Sequence, residues 1–102
     1  MAMNRKRQLA AILRAAAKQT IAESDFWTQF EALTDSHDPI EALAYEPVIH
    51  YWGNFHQINI FGFKAKPNKN QVQQGQEELN LLADALEGDW TAEETLQKLN
   101  DI

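Results

Sequence analysis

Apolar and small residues recur at three- and four-residue steps near the start of the chain, at Leu9, Ile12, Leu13, Ala16, Thr20 and Ile21. Arg5, Arg14 and Lys18 fall off that stripe. The spacing predicts an amphipathic helix from Asn4 to about Ile21, helped by alanines of high helix propensity. Ser24 and Asp25 then precede Phe26, Trp27, Phe30 and Leu33, which predicts a second helix from Asp25 to about Thr34 with Ser24 as its cap. Asp38, Pro39 and Glu41 form a third start signal: an acidic cap, proline at the first helical position, and a glutamate able to reach back to the cap. Pro47 interrupts this third helical stretch. Either the helix kinks there, or one short helix ends near Tyr45 and another runs from Pro47 to Trp52, with Gly53 and Asn54 as a stop.

From Phe55 to Phe63 the pattern changes to alternation, with Phe55, Gln57, Asn59, Phe61 and Phe63 on one face and Ile58 and Ile60 on the other. Period two suggests a strand, yet no second strand is available to pair with it, so a buried irregular segment is the alternative. The polar run KAKPNKNQ is a loop. A helix from Asn70 to Glu87 comes next, carrying Val72, Leu79, Leu82, Ala83 and Leu86 on one face, weakened at Gly75 and capped at Gly88. Thr91 and Glu94 form a capping box for a last helix lined by Leu96, Leu99 and Ile102. The expected fold is mainly α: a single-domain bundle of four to six helices over residues 1–102, with at most one or two short strands near 55–63. Residues 1–8 leave room for a flexible basic tail.

A chain of 102 residues has one small core to bury, and 44% hydrophobic with 24% charged residues is a globular balance. The charge layout adds more than the net −6: residues 1–22 hold five basic residues and no acid, whereas the remainder holds four basic against fifteen acidic residues. An acidic body favours cationic partners and disfavours nucleic acid; a nucleic-acid-binding alternative rests on the basic first helix, at Arg5, Lys6, Arg7, Arg14 and Lys18, the loop patch of Lys64, Lys66 and Lys69 being too small to add to it. With no cysteine there is no disulfide framework or thiolate site. No apolar run is long enough to span a bilayer, and a cytoplasmic location is the expectation.

Catalytic chemistry finds little support. Ser24 and Ser36 are explained by caps and turns, the four glycines are scattered singly, and no cofactor motif is present. The reading is therefore of a protein that is not an enzyme and holds no metal or cofactor. The enzyme alternative is a metal-dependent site at Glu46, His50 and His56, the first two sharing a face if the helix is continuous. The bulk of the chain lies between Asp38 and Phe63, and its rings must be core or contact surface. Trp52, Phe55, Tyr51 and Trp27 are the candidate anchors for a protein partner, with Glu46 and Asp38 as acids that would steer a basic one. A homodimer burying the 50–63 aromatics across a twofold axis is the alternative. The run IHYWGNF, followed after a loop by QGQEELNLLADALEG, resembles small acidic helical bacterial immunity proteins. That resemblance implies binding and neutralisation of a toxin, often a basic nuclease, and carries no site residue across.

Overall fold

A computed structural model describes residues 5–56, 62 and 66–102. They form a compact, mostly helical bundle: α1 (Arg5–Ala17), α2 (Glu23–Leu33), the single turn α3 (Pro39–Ala42), α4 (Tyr45–Gly53), α5 (Lys69–Gly88) and α6 (Ala92–Asn100). No strand occurs among the described residues. The strand expected near 55–63 falls on 57–61 and 63, outside them, and so do residues 1–4 of the expected basic tail. Residues 5–8 are the first turns of α1.

The longest helix, α5, is the hub against which α1, α3, α4 and α6 pack, with α2 laid on α1. Gln76 donates to the Ala17 carbonyl at one end of the α1/α5 pair and Arg14 reaches Asp84 and Glu87 towards the other, so the two helices run antiparallel. Leu9, Leu13, Leu79 and Leu82 are fully buried between them, each contributing roughly 1.5–3 kcal/mol of transfer free energy. Phe26 and Phe30 of α2 and Tyr51 and Trp52 of α4 complete the core.

Helix boundaries differ from expectation where backbone geometry overrides composition. α1 stops at Ala17 because Gln19 takes a left-handed conformation (φ 59°), and the bonds from Thr20 N to Ala15 O and Gln19 N to Ala16 O close a Schellman turn. Thr20 and Ile21 therefore leave the helical stripe. A non-glycine residue is strained at that φ, so Gln19→Gly is expected to raise stability by up to about 1 kcal/mol, read from the urea midpoint. α2 begins at Glu23 with Ala22 as its cap, placing Ser24 inside the helix. The break before α4 falls at Leu43 and Ala44, and Pro47 sits in the first turn of α4, where a missing N–H costs no helical bond.

Two glycines are explained by what covers them. A Cβ at Gly75 would lie 2.7 Å from Cδ1 of Tyr51, and one at Gly88 would lie 2.8 Å from Nε1 of Trp90. The left-handed residue ending α5 is Asp89 (φ 53°), not Gly88. At Gly53, φ is not positive and a Cβ would meet nothing. Gly75→Ala is thus expected to cost about 1–3 kcal/mol by overpacking, despite the better helix former. Gly53→Ala is expected to gain about 0.5 kcal/mol; paired thermal melts read both signs.

Candidate binding face

Of the sequence-derived anchors, Tyr51 and Trp52 are core side chains, and Phe55 and Trp27 pack half-buried against the core. Tyr51 is fully buried, its hydroxyl donating to the Ala16 carbonyl at 2.7 Å, and Trp52 is 8% exposed with its ring 5.5 Å from Phe26 and 5.2 Å from Tyr51. Phe55 is half-buried against both rings. Trp27, also half-buried, stands edge-on to Phe26 and Phe30 and donates from Nε1 to Glu23 at 3.1 Å. The surface role assigned to Trp52 and Tyr51 is corrected: these rings interlock with Phe30 and Tyr45 into one cluster, and hiding them inside the subunit removes more apolar surface than presenting them. The homodimer alternative loses the same two rings within 50–56; most of the rest of its stretch lies outside the described residues.

Asp38 is a structural cap, as its spacing predicts. Its side chain accepts from the backbone N–H of Ile40 at 2.9 Å and Glu41 at 3.1 Å, and pairs with Lys6 at 2.9 Å. Burial pushes its carboxyl up, but Lys6 and the two N–H groups outweigh that and hold it below its ordinary value of 3.8. The stability this supplies is present above pH 3.8 and is lost as pH falls through the lower folded value. Glu41, read as reaching back to the cap, instead faces inward: its fully buried carboxylate takes both arms of the Arg5 guanidinium and the N–H of Asp35. Arg5 also donates to the Leu33 carbonyl at 2.6 Å. Arg14 forks onto Asp84 and Glu87. Arg5, Lys6 and Arg14, which a phosphate backbone would need, are thus turned onto the protein's own acids.

Glu46, His50 and His56 do not converge. His56 Nε2 lies 2.5 Å from Glu23 of α2, whereas Glu46 and His50 face α5 and α6. Among the described residues no group of three His, Asp or Glu is placed to hold a metal ion, so these three do not form the metal site weighed as the enzyme alternative.

Glu46 and His50 belong to a cleft on the outer edge of α4. One arm, of about 490 Å³, runs between α4 and α5 past Ile49, Gly53, Gln71, Gln74 and Glu78. A narrower arm of about 210 Å³ continues between α4 and α6, lined by Leu43, Glu46, Leu96, Leu99 and Asn100. Pro47, His50 and Glu78 line both arms. Ile49 at one arm is 55% exposed and Leu96 at the other is 48% exposed, the two most exposed large apolar side chains among the described residues. Both positions are set by helix register. α4 buries Val48, Tyr51 and Trp52, which turns Ile49 outward, and α6 packs through Ala92, Thr95 and Leu99, which leaves the expected contact Leu96 in water. Sequence reasoning passed over Ile49 because it weighed rings above register.

Burial raises the Glu78 carboxyl above its ordinary value of 4.5; His50 and a hydrogen bond from Gln74 oppose the shift and Glu46 adds to it. A raised folded value means the stabilising form is the protonated one. That contribution is complete below pH 4.5 and is lost as pH rises through the folded value. Glu78→Gln is therefore expected to raise the melting temperature slightly at pH 7 and to leave it unchanged at pH 4, checked by calorimetry at both.

Among the described residues no helix is long and apolar enough to cross a membrane. No protein family, curated protein or solved structure matches the chain in comparison with known proteins.

Proposed function

We propose that the protein is a small acidic binding module that covers a basic surface on another protein, in the manner of an inhibitor or immunity protein. One observation carries this reading: two exposed aliphatic side chains, Ile49 and Leu96, flank a cleft lined by Glu46 and Glu78. Of the helices that form it, α4 exposes Glu46, α5 Glu77, and α6 Glu93 and Glu94, against Lys69 and Lys98, while Asp84 and Glu87 of α5 are paired with Arg14. Apolar contact at the centre with like-signed charge around it is the arrangement in which charge steers the encounter and desolvated side chains hold the complex. The mechanism is occlusion: a rigid helical face seated on a cationic surface blocks access to that surface.

If a gene adjoining this one encodes a basic protein, the test is association of that product with this chain, followed by stopped flow at low and high salt. The on-rate is expected to fall by an order of magnitude or more between about 0.01 and 1 M salt as the Debye length contracts from about 30 to 3 Å. Association that ignores salt, or a neighbour that does not bind, would refute the reading.

A further inference from the structure

We propose that the narrow arm of the cleft receives one arginine side chain of the partner, its guanidinium between Glu46 and Glu78 and its aliphatic stem against Leu43, Leu96 and Leu99. This rests on the reading of the protein as a binder of basic proteins and names the group that is recognised.

The arm's size, walls and charge agree on that occupant. Its volume of about 210 Å³ equals the liquid share of about seven waters, room for one long side chain but not for a helix. Leu43, Pro47, Leu96 and Leu99 make the walls apolar, while Glu46, Glu78, His50 and Asn100 supply polar atoms. Water in the arm would wet the leucines, and an aliphatic side chain would leave two carboxylates without a counter-charge. A cation on a long apolar stem satisfies both. Arginine suits the arm better than lysine because its planar fork can serve two carboxylates at once and it sheds water more easily than an ammonium. Glu78 points the same way. It is partly buried, its acidic neighbour Glu46 repels it, and the positive charge opposing its neutralisation comes from His50. A guanidinium entering the arm would relieve that deficit.

The experiment titrates the ¹⁵N-labelled full chain with N-acetyl-arginine amide, N-acetyl-lysine amide and N-acetyl-norleucine amide, following backbone amide shifts. Saturable shifts are expected at Glu46–His50, Glu78 and Leu96–Asn100 with the arginine probe, about threefold weaker binding of the lysine probe, and none of the norleucine probe. Glu78→Gln should abolish the arginine response while keeping a native spectrum, because burial already disfavours the charge it removes. Glu31→Gln, on the exposed side of α2 away from the cleft, should leave the response intact. Arginine shifts scattered over the acidic surface, an undiminished response in Glu78→Gln, or equal binding of norleucine would overturn the proposal. No partner protein enters this titration, so its failure beside intact salt-dependent association sinks the arginine pocket alone. Loss of that association with a positive titration sinks the basic-partner reading.

Discussion

Trp52→Ala is expected to cost about 3–5 kcal/mol of folding stability and to act on any complex only through the loss of folded protein. The indole is 8% exposed and shares the cluster with Phe26, Tyr51 and Phe55, so truncation leaves a cavity that helices pinned by α5 cannot collapse to fill. Against a total stability of about 5–15 kcal/mol for a domain of this size, such a loss lowers the denaturation midpoint by a large fraction. Ile49→Ala, by contrast, removes a side chain that is mostly in water and should shift stability by no more than about 0.5 kcal/mol. Urea titrations of the two variants, both on the same helix, read the difference directly.

The second large effect is at the clasp between α1 and α3. Arg5→Ala strips the counter-charge from the fully buried Glu41 carboxylate, and breaking a buried pair from one side costs about 3–5 kcal/mol. The guanidinium is itself 41% exposed, so water can reach part of the vacated space and the lower end of that range is expected. Glu41→Leu alone strands the Asp35 N–H and the Arg5 fork. The pair Arg5→Met with Glu41→Leu should recover part of the loss, because an apolar pair of similar volume carries no charge-desolvation cost while the Asp35 N–H still lacks its acceptor. A double-mutant cycle on denaturation midpoints measures the coupling; additive losses would show that the two side chains do not act as a unit.

Much of the architecture was readable from residue spacing. The 3.6-residue stripe located α1, Asp38–Pro39 located α3, Thr91 with Glu94 located α6, and the leucines of α5 marked the hub. What spacing could not supply was the partner of each buried group. Glu41 looks like a capping glutamate until Arg5 is brought beside it from 36 residues away, and Gly75 looks like a weak point until the Tyr51 ring is laid across it. Tyr51 and Trp52, which are buried, read as surface anchors for a related reason. Rings are the strongest anchors whether they face a partner or the core, and composition cannot distinguish the two. Register can: once α4 begins at Tyr45, Val48, Tyr51 and Trp52 share the inner face, and Ile49 with Glu46 and His50 must look outward. Of the acids first assigned to a partner, Glu46 lies on that outer edge and Asp38 is spent on capping α3.

The central claim is that contact is made by the outer edge of α4 and not by its rings. It is tested most directly by the dissociation constant of Ile49→Asp for a basic protein that binds the unmodified chain, measured beside its urea midpoint. The expected result is affinity reduced about tenfold or more, at least about 1.4 kcal/mol, with an unchanged midpoint. Undiminished affinity in a folded Ile49→Asp protein would contradict the account.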